Sequence, residues 1–260
     1  MNFSSLGLYL RTKTKYKTII MANIFTSSIG KKLIMSISGL FLILFLTMHM
    51  CLNLTYVFDP SSSMIGGVWT GKVFQGVCDF MSLGIVSIMV PVLAAGFIIH
   101  ILYAFILTIT NRRARGEQRY AVANRAAVDS WSAKNMFVLG LIVILGIAIH
   151  LTHFWSEMQL QEFMGAEAAS PYQLMQATFG KWWITLIYLV WFAALWFHLT
   201  HGFWSALQTL GWNNTIWLKR WKWICGIYVT VILLGFALIA VYAFCKETFV
   251  QFSGFLLHNL

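Results

Sequence analysis

Five apolar runs without a charged residue dominate this chain and leave few folds open to it: roughly Leu33–Val57, Phe80–Ile109, Asn135–Ser156, Trp182–Leu210 and Trp223–Cys245. Each reaches the ~20 residues that an α-helix needs to cross a hydrocarbon core of ~30 Å. Inside lipid every backbone N–H and C=O must be paired within the protein, and a helix does this within a single segment. Only 10% of the 260 residues are charged, against about a quarter in an ordinary soluble domain, so little sequence remains for a domain in water. The expected fold is therefore an all-α integral membrane protein with five transmembrane helices. Residues 1–30 are expected to form a cytoplasmic, partly disordered N-terminal segment, 31–250 the membrane domain, and 251–260 an outer-side C-terminal tail. The second and fourth runs are long enough to tilt or to extend past the membrane, and Pro91 inside the second predicts a kink.

The net charge of +10 comes from clusters between the runs, which reads as a topology signal rather than a nucleic-acid surface. Lys31 and Lys32 precede the first run. Arg112, Arg113, Arg115, Arg119 and Arg125 follow the second, and Lys219, Arg220 and Lys222 follow the fourth. The remaining two loops, Phe58–Asp79 and Glu157–Lys181, hold two Lys and no Arg. The positive-inside rule then places the N-terminus in the cytoplasm and the C-terminus outside. Trp182, Trp183, Trp212, Trp217, Trp221 and Trp223 sit at run ends, as an interfacial aromatic belt requires. The segment Glu157–Ala177 is expected to form a short amphipathic helix on the outer surface. The basic loop Arg112–Asp129 is the expected docking face for a soluble partner. The first twenty residues lack the apolar stretch and small-residue cleavage site of a signal peptide, and Met21 offers a second start.

Cysteine chemistry is not indicated. Cys51, Cys78, Cys225 and Cys245 show no C-x-x-C or C-x-x-C-H spacing, which excludes covalent c-type haem attachment and zinc-ribbon sites.

The histidines carry the functional reading. Six of seven lie within the runs: His49 in the first, His100 in the second, His150 and His153 in the third, His198 and His201 in the fourth. Ionisable groups at membrane depth are costly and are functional hypotheses by default. At ~1.5 Å per residue, His49 lies roughly 25 Å from Lys32 and His150 roughly 24 Å from Lys134, whereas His100 lies about 18 Å from Arg112 and His198 about 20 Å from Gly211. Two tiers result, His49 with His150 toward the outer side and His100 with His198 nearer the cytoplasm. Two histidines at one depth on different helices can clasp a haem iron from both faces. The separations of 51 residues (His49 to His100) and 48 (His150 to His198) suggest a repeated helix pair. His153 and His201 each follow by three positions on the same helix face, where they are candidates for a haem propionate or quinone contact, or for ligation itself. Depth slightly prefers His150 over His153 and leaves His198 and His201 open. Ser36, Ser38, Gly39, Ala94, Ala95, Gly96, Gly140, Gly146, Ala193 and Ala194 are the small residues expected to admit a flat macrocycle or to pack helices closely.

The stretches SGLFLILFLTMHMCLN (Ser38–Asn53), GFIIHILYAF (Gly96–Phe105), IHLTHFW (Ile149–Trp155) and FHLTHGFWSALQTLG (Phe197–Gly211) resemble the cytochrome b subunit of succinate:quinone oxidoreductases. More narrowly, they resemble the single-chain, five-helix, dihaem type of succinate dehydrogenase and fumarate reductase. The likeness covers nearly the whole chain from Met21, and its F-H-x-x-x-G-x-W pattern favours His198 over His201. It implies two haem b groups, with His49 and His150 on the distal iron and His100 and His198 on the proximal one. It also implies a flavoprotein, which carries the dicarboxylate chemistry, and an iron–sulfur subunit, both on the cytoplasmic side, a membrane quinone, expected to be menaquinone, and a place in a bacterial cytoplasmic membrane. Bis-histidine ligation fills both axial positions, so the expected work is electron transfer. The same pattern also suits a dihaem cytochrome b of a formate- or hydrogen-oxidising dehydrogenase, or, from another class, a proton-coupled transporter. Asp79 and Asp59 are the carboxylates nearest to the apolar spans that a quinone proton would use, and no transmembrane proton path follows from them.

Overall fold

Each apolar run closes its own hydrogen bonds as a helix, and the five that result account for most of the protein. The computed structural model describes residues 25–65, 68–115, 131–212 and 214–259. The elements are α1 (Ser28–Leu54), a two-stranded antiparallel hairpin of β1 (Ser63–Ile65) and β2 (Val68–Thr70), α2 (Lys72–Met81), α3 (Gly84–Ser87) and α4 (Met89–Arg115). Then follow α5 (Trp131–His150), α6 (Gln159–Phe163), α7 (Pro171–Phe179), α8 (Trp182–Thr209) and α9 (Trp217–Asn259). Five are long and apolar enough to span a bilayer: Ser28–Leu54, Met89–Ala114, Trp131–Trp155, Trp182–Thr209 and Trp217–Phe252. The chain is an all-α multi-pass membrane protein.

Several boundaries differ from the sequence expectation. The second run is not one helix from Phe80. Phe80 closes the separate helix α2, the chain turns where Ser82 donates its hydroxyl to the Asp79 carbonyl (2.8 Å), and the spanning helix begins at Met89. Pro91 therefore falls in the first turn of α4, where its missing N–H has no intrahelical partner to lose; the expected kink has no cause there. The segment Glu157–Ala177 is two short helices, broken at Gly165 (φ +69°). The last helix begins at Trp217 and continues through the expected 251–260 tail to Asn259. At ~1.5 Å per residue it exceeds the bilayer, so its ends project. The basic stretch beyond Arg115, including Arg119 and Arg125, and the first 24 residues, including Met21, lie outside the described residues.

Helix α8 packs against α1, α5 and α9, while α1 packs against α4 and α9. The order around the bundle is therefore α4–α1–α8–α5, with α9 laid against the α1 and α8 faces. Helices α1 and α5 face each other across one diagonal, α4 and α8 across the other. The hairpin, α2 and α7 cap one end; Lys31, Arg112, Lys134 and Lys222 mark the opposite, basic end. The main core joins Met50, Tyr188, Phe192, Leu195, Val229 and Leu233 to the cap residues Tyr56, Phe74 and Tyr172. Large apolar side chains such as Leu145, Val190, Ile227 and Leu234 point outward, which a lipid solvent permits.

Close approaches rest on glycines. A β-carbon at Gly96 of α4 would collide with Phe41 of α1, and one at Gly146 of α5 with the Trp191 indole of α8. Trp191 also donates its indole N–H to the Val143 carbonyl (3.3 Å), so that ring has little freedom to move. Gly146→Ala should therefore lower stability by about 1–3 kcal/mol through overpacking. Gly76→Ala, which meets nothing within 4 Å, is the control. Thermal unfolding in detergent reads the difference, and equal melting temperatures would contradict it.

Candidate functional site

The intramembrane histidines meet in two pairs, each across a diagonal of the bundle. His49 of α1 and His150 of α5 have ring centres 5.8 Å apart with planes at 83°. His100 of α4 and His198 of α8 are 6.4 Å apart at 68°. An imidazole nitrogen binds a first-row metal at about 2 Å and the ring centre lies about 1 Å further, so two rings trans on one ion stand roughly 6 Å apart. Both pairs have that separation. Their donor chemistry, two neutral imidazoles in an apolar bundle, fits an iron whose other four ligands come from a macrocycle. Among the described residues, His, Cys, Asp and Glu form no group of three or more that would hold a bare metal ion.

Aromatic side chains enclose the cap-end pair. Phe45 stacks on His49 (5.4 Å) and Phe236 of α9 approaches it (5.7 Å). Phe154, Trp191 and Tyr188 surround His150. Asn53 donates to the His49 carbonyl (2.8 Å), and its amide lies 3.4 Å from His49 Nδ1. At the basic-end pair, Ser38 Oγ lies 3.2 Å from His100 Nδ1. His198 Nδ1 is buried with no hydrogen-bond partner among the described residues.

The neighbours of these ligand candidates are placed differently. Residues Leu151–Trp155 form a π-helical turn after α5, an insertion frequent at functional sites. There His153 stacks on Tyr188 of α8 (5.9 Å, 20°) with Nδ1 3.1 Å from the hydroxyl. His150, not His153, lies opposite His49. His201 meets Trp204 edge-on (5.1 Å), and Lys222 of α9 lies over that indole (4.6 Å); His201 Nδ1 is buried without a partner. His198, not His201, lies opposite His100.

The small residues divide by role. Gly96 and Gly146 serve helix packing, whereas a β-carbon on Gly39 would sit 3.2 Å from His100 Cε1 and one on Gly140 3.7 Å from His198 Cε1. A repeat becomes readable from this. Gly39 to His49 and Gly140 to His150 span the same interval, and the two stretches agree at Gly39/Gly140, Leu40/Leu141, Ile43/Ile144, Leu44/Leu145 and His49/His150. In each half the glycine rests against the histidine of the following spanning helix.

Two polar centres lie in the cap, of which the sequence had marked Asp59 only as a carboxylate near the first run and Lys246 not at all. Asp59, 6% exposed, accepts at Oδ2 from the Phe74 N–H (2.9 Å) and the Tyr172 hydroxyl (3.0 Å), and at Oδ1 from the Ser61 N–H (2.9 Å) and hydroxyl (2.5 Å). Burial pushes its carboxyl up, but these four bonds outweigh it and hold the pKa at about 2. A carboxylate held that low stays ionised at neutral pH, which removes Asp59 as a proton relay. Lys246 of α9 donates to Ser62 Oγ (2.7 Å) and is enclosed by Trp69 (4.1 Å), Tyr242 (5.0 Å), Tyr56 (5.1 Å) and Tyr172 (5.9 Å), a cation–π cage. Tyr56 Oη and Trp69 Nε1 beside it are buried without partners among the described residues. The one sequence signal for this was a lysine directly after the last apolar run. Asp79 is exposed and accepts from Gln75 (2.8 Å) on the rim of an 880 Å³ cleft that Glu157, Glu162 and Glu167 also line.

Compared with known protein families, curated proteins and solved structures, the chain matches none.

Proposed function

We propose that this chain is the dihaem cytochrome b membrane anchor of a succinate:quinone oxidoreductase, passing electrons between an iron–sulfur subunit and a membrane quinone. The observation that carries the reading is the meeting of four histidines from four helices as two pairs, each with the separation of rings on one iron. Bound there, a bis-histidine haem supplies one-electron transfer with no open coordination position.

His49 and His150 would hold the cap-end haem, His100 and His198 the other. The aromatic walls around the cap-end pair exclude water. His201, with an unpartnered buried nitrogen and Lys222 nearby, is placed to meet a propionate of the basic-end haem. The unpartnered Tyr56 hydroxyl and Trp69 indole beside Lys246 offer donors to a quinone oxygen, menaquinone being the expected species. The basic end carries Lys31, Lys32, Arg112 and Arg113, which supports a cytoplasmic N-terminus and an outer C-terminus; the bacterial inner-membrane setting comes from the family resemblance. The flavoprotein and iron–sulfur subunits would dock on that end.

Isolating the native complex through a tag on this chain tests the proposal. Two haem b per chain by pyridine haemochrome, together with a flavoprotein and an iron–sulfur subunit that reduce quinone with succinate, is the expected result. Absence of haem would end the cytochrome reading. Co-purification of a formate- or hydrogen-oxidising subunit would transfer the haem pairs to another dehydrogenase.

A further inference from the structure

The two halves of the repeat differ at one position that touches the basic-end pair. Gly39 and Gly140 occupy equivalent places against His100 and His198, but the preceding residue is Ser38 in one half and Leu139 in the other. Both are buried, at 8% and 4% exposure. The Ser38 hydroxyl lies 3.1 Å from the Met35 carbonyl and 3.2 Å from His100 Nδ1. A carbonyl only accepts, so a hydroxyl proton given to Met35 leaves an oxygen lone pair facing the imidazole. In that arrangement Nδ1 carries the ring proton and donates it to Ser38. A neutral imidazole has one N–H, so Nε2 is left bare, which is the tautomer that binds a metal. Leu139 has no such group, and His198 Nδ1 is buried without a partner.

We infer that Ser38 is a positioning residue for the basic-end haem: its hydroxyl selects the ligating tautomer of His100 and strengthens that ring as a donor, while Gly39 lets the ring lie against α1. The inference rests on the dihaem reading above. A hydrogen bond from Nδ1–H makes the imidazole more basic and favours the oxidised iron, so Ser38 lowers the potential of this haem.

Redox titration of the purified complex, followed optically, tests it. The basic-end haem is identified as the one missing from His100→Ala. Ser38→Ala should raise its midpoint potential and weaken its retention by roughly 10–100-fold, with the cap-end midpoint unchanged. Ser38→Thr should restore both. Leu139→Ser, which places a hydroxyl at the position equivalent to Ser38 in the second half of the repeat, should move the same midpoint downward. Unchanged midpoints in Ser38→Ala, or equal shifts of both haems, would overturn the inference. If Ser38→Ala fails to assemble, Leu139→Ser decides: a lowered basic-end midpoint supports the role and an unmoved one refutes it. Fewer than two haems in the unaltered complex would instead remove the dihaem reading, and this inference with it.

Discussion

Replacing His100 or His198 by alanine is expected to remove one of the two proposed haems from the purified complex and to leave the other in place. The pairs lie on different diagonals and share no histidine: α1 and α5 supply one, α4 and α8 the other. Loss of either ring at the basic end would remove one of the two residues that would hold that haem, while the Phe45, Phe236 and Trp191 surround of the cap-end pair is untouched. His49→Ala and His150→Ala should give the reciprocal loss. The haem-to-protein ratio by pyridine haemochrome should fall from two to one in all four variants. His153→Ala and His201→Ala should keep both haems, because their rings face Tyr188 and Trp204 rather than a second histidine. Two haems surviving in His100→Ala and His198→Ala alike would refute the pairing.

The second large effect concerns the cap. Asp59→Ala takes the acceptor from the Phe74 N–H, the Tyr172 hydroxyl and both Ser61 donors. Hydrogen bonds to a charged group contribute about 1.5–3 kcal/mol each, and donors left unsatisfied in a buried site add to the cost; the bonds form one network and do not sum. A loss of about 3 kcal/mol is expected, seen as earlier thermal unfolding and faster proteolysis between Ser61 and Lys72. Asp79→Ala, at an exposed carboxylate, should change little. The pH dependence has a fixed sign. The Asp59 pKa is depressed from 3.8 to about 2, so its contribution is complete above 3.8 and is lost as the pH falls through about 2. The difference between the native chain and Asp59→Ala should accordingly narrow over that interval. A gap that persists unchanged to pH 2 would show that the carboxylate charge is not what holds the cap.

The helices themselves were legible because the bilayer imposes a length and an apolarity that a linear reading can measure. The same reading placed the histidines at two depths. It erred where apolarity does not report chain direction: hydropathy passes smoothly from Phe80 to Met89, although the Ser82 turn and the short α3 separate the cap helix α2 from the spanning helix α4. It also stopped the last helix too early, because hydropathy falls at Lys246 and Glu247 while helical hydrogen bonding does not.

Local order along the chain thus determined five spanning helices and a histidine on each of four. Depth had already paired His49 with His150 and His100 with His198; tertiary structure showed the rings of each pair meeting and where His153 and His201 turn instead. The choice of His150 over His153 depends on a π-turn and on Tyr188 across the bundle. The hold on His100 comes from Ser38, 62 positions away. The cage around Lys246 draws on Tyr56 and Trp69, far off in sequence and adjacent only when α9 closes against the cap. Spacing fixes depth because each helical residue rises by a constant amount, but rotation about a helix axis and the identity of the neighbour across it are set by packing between helices.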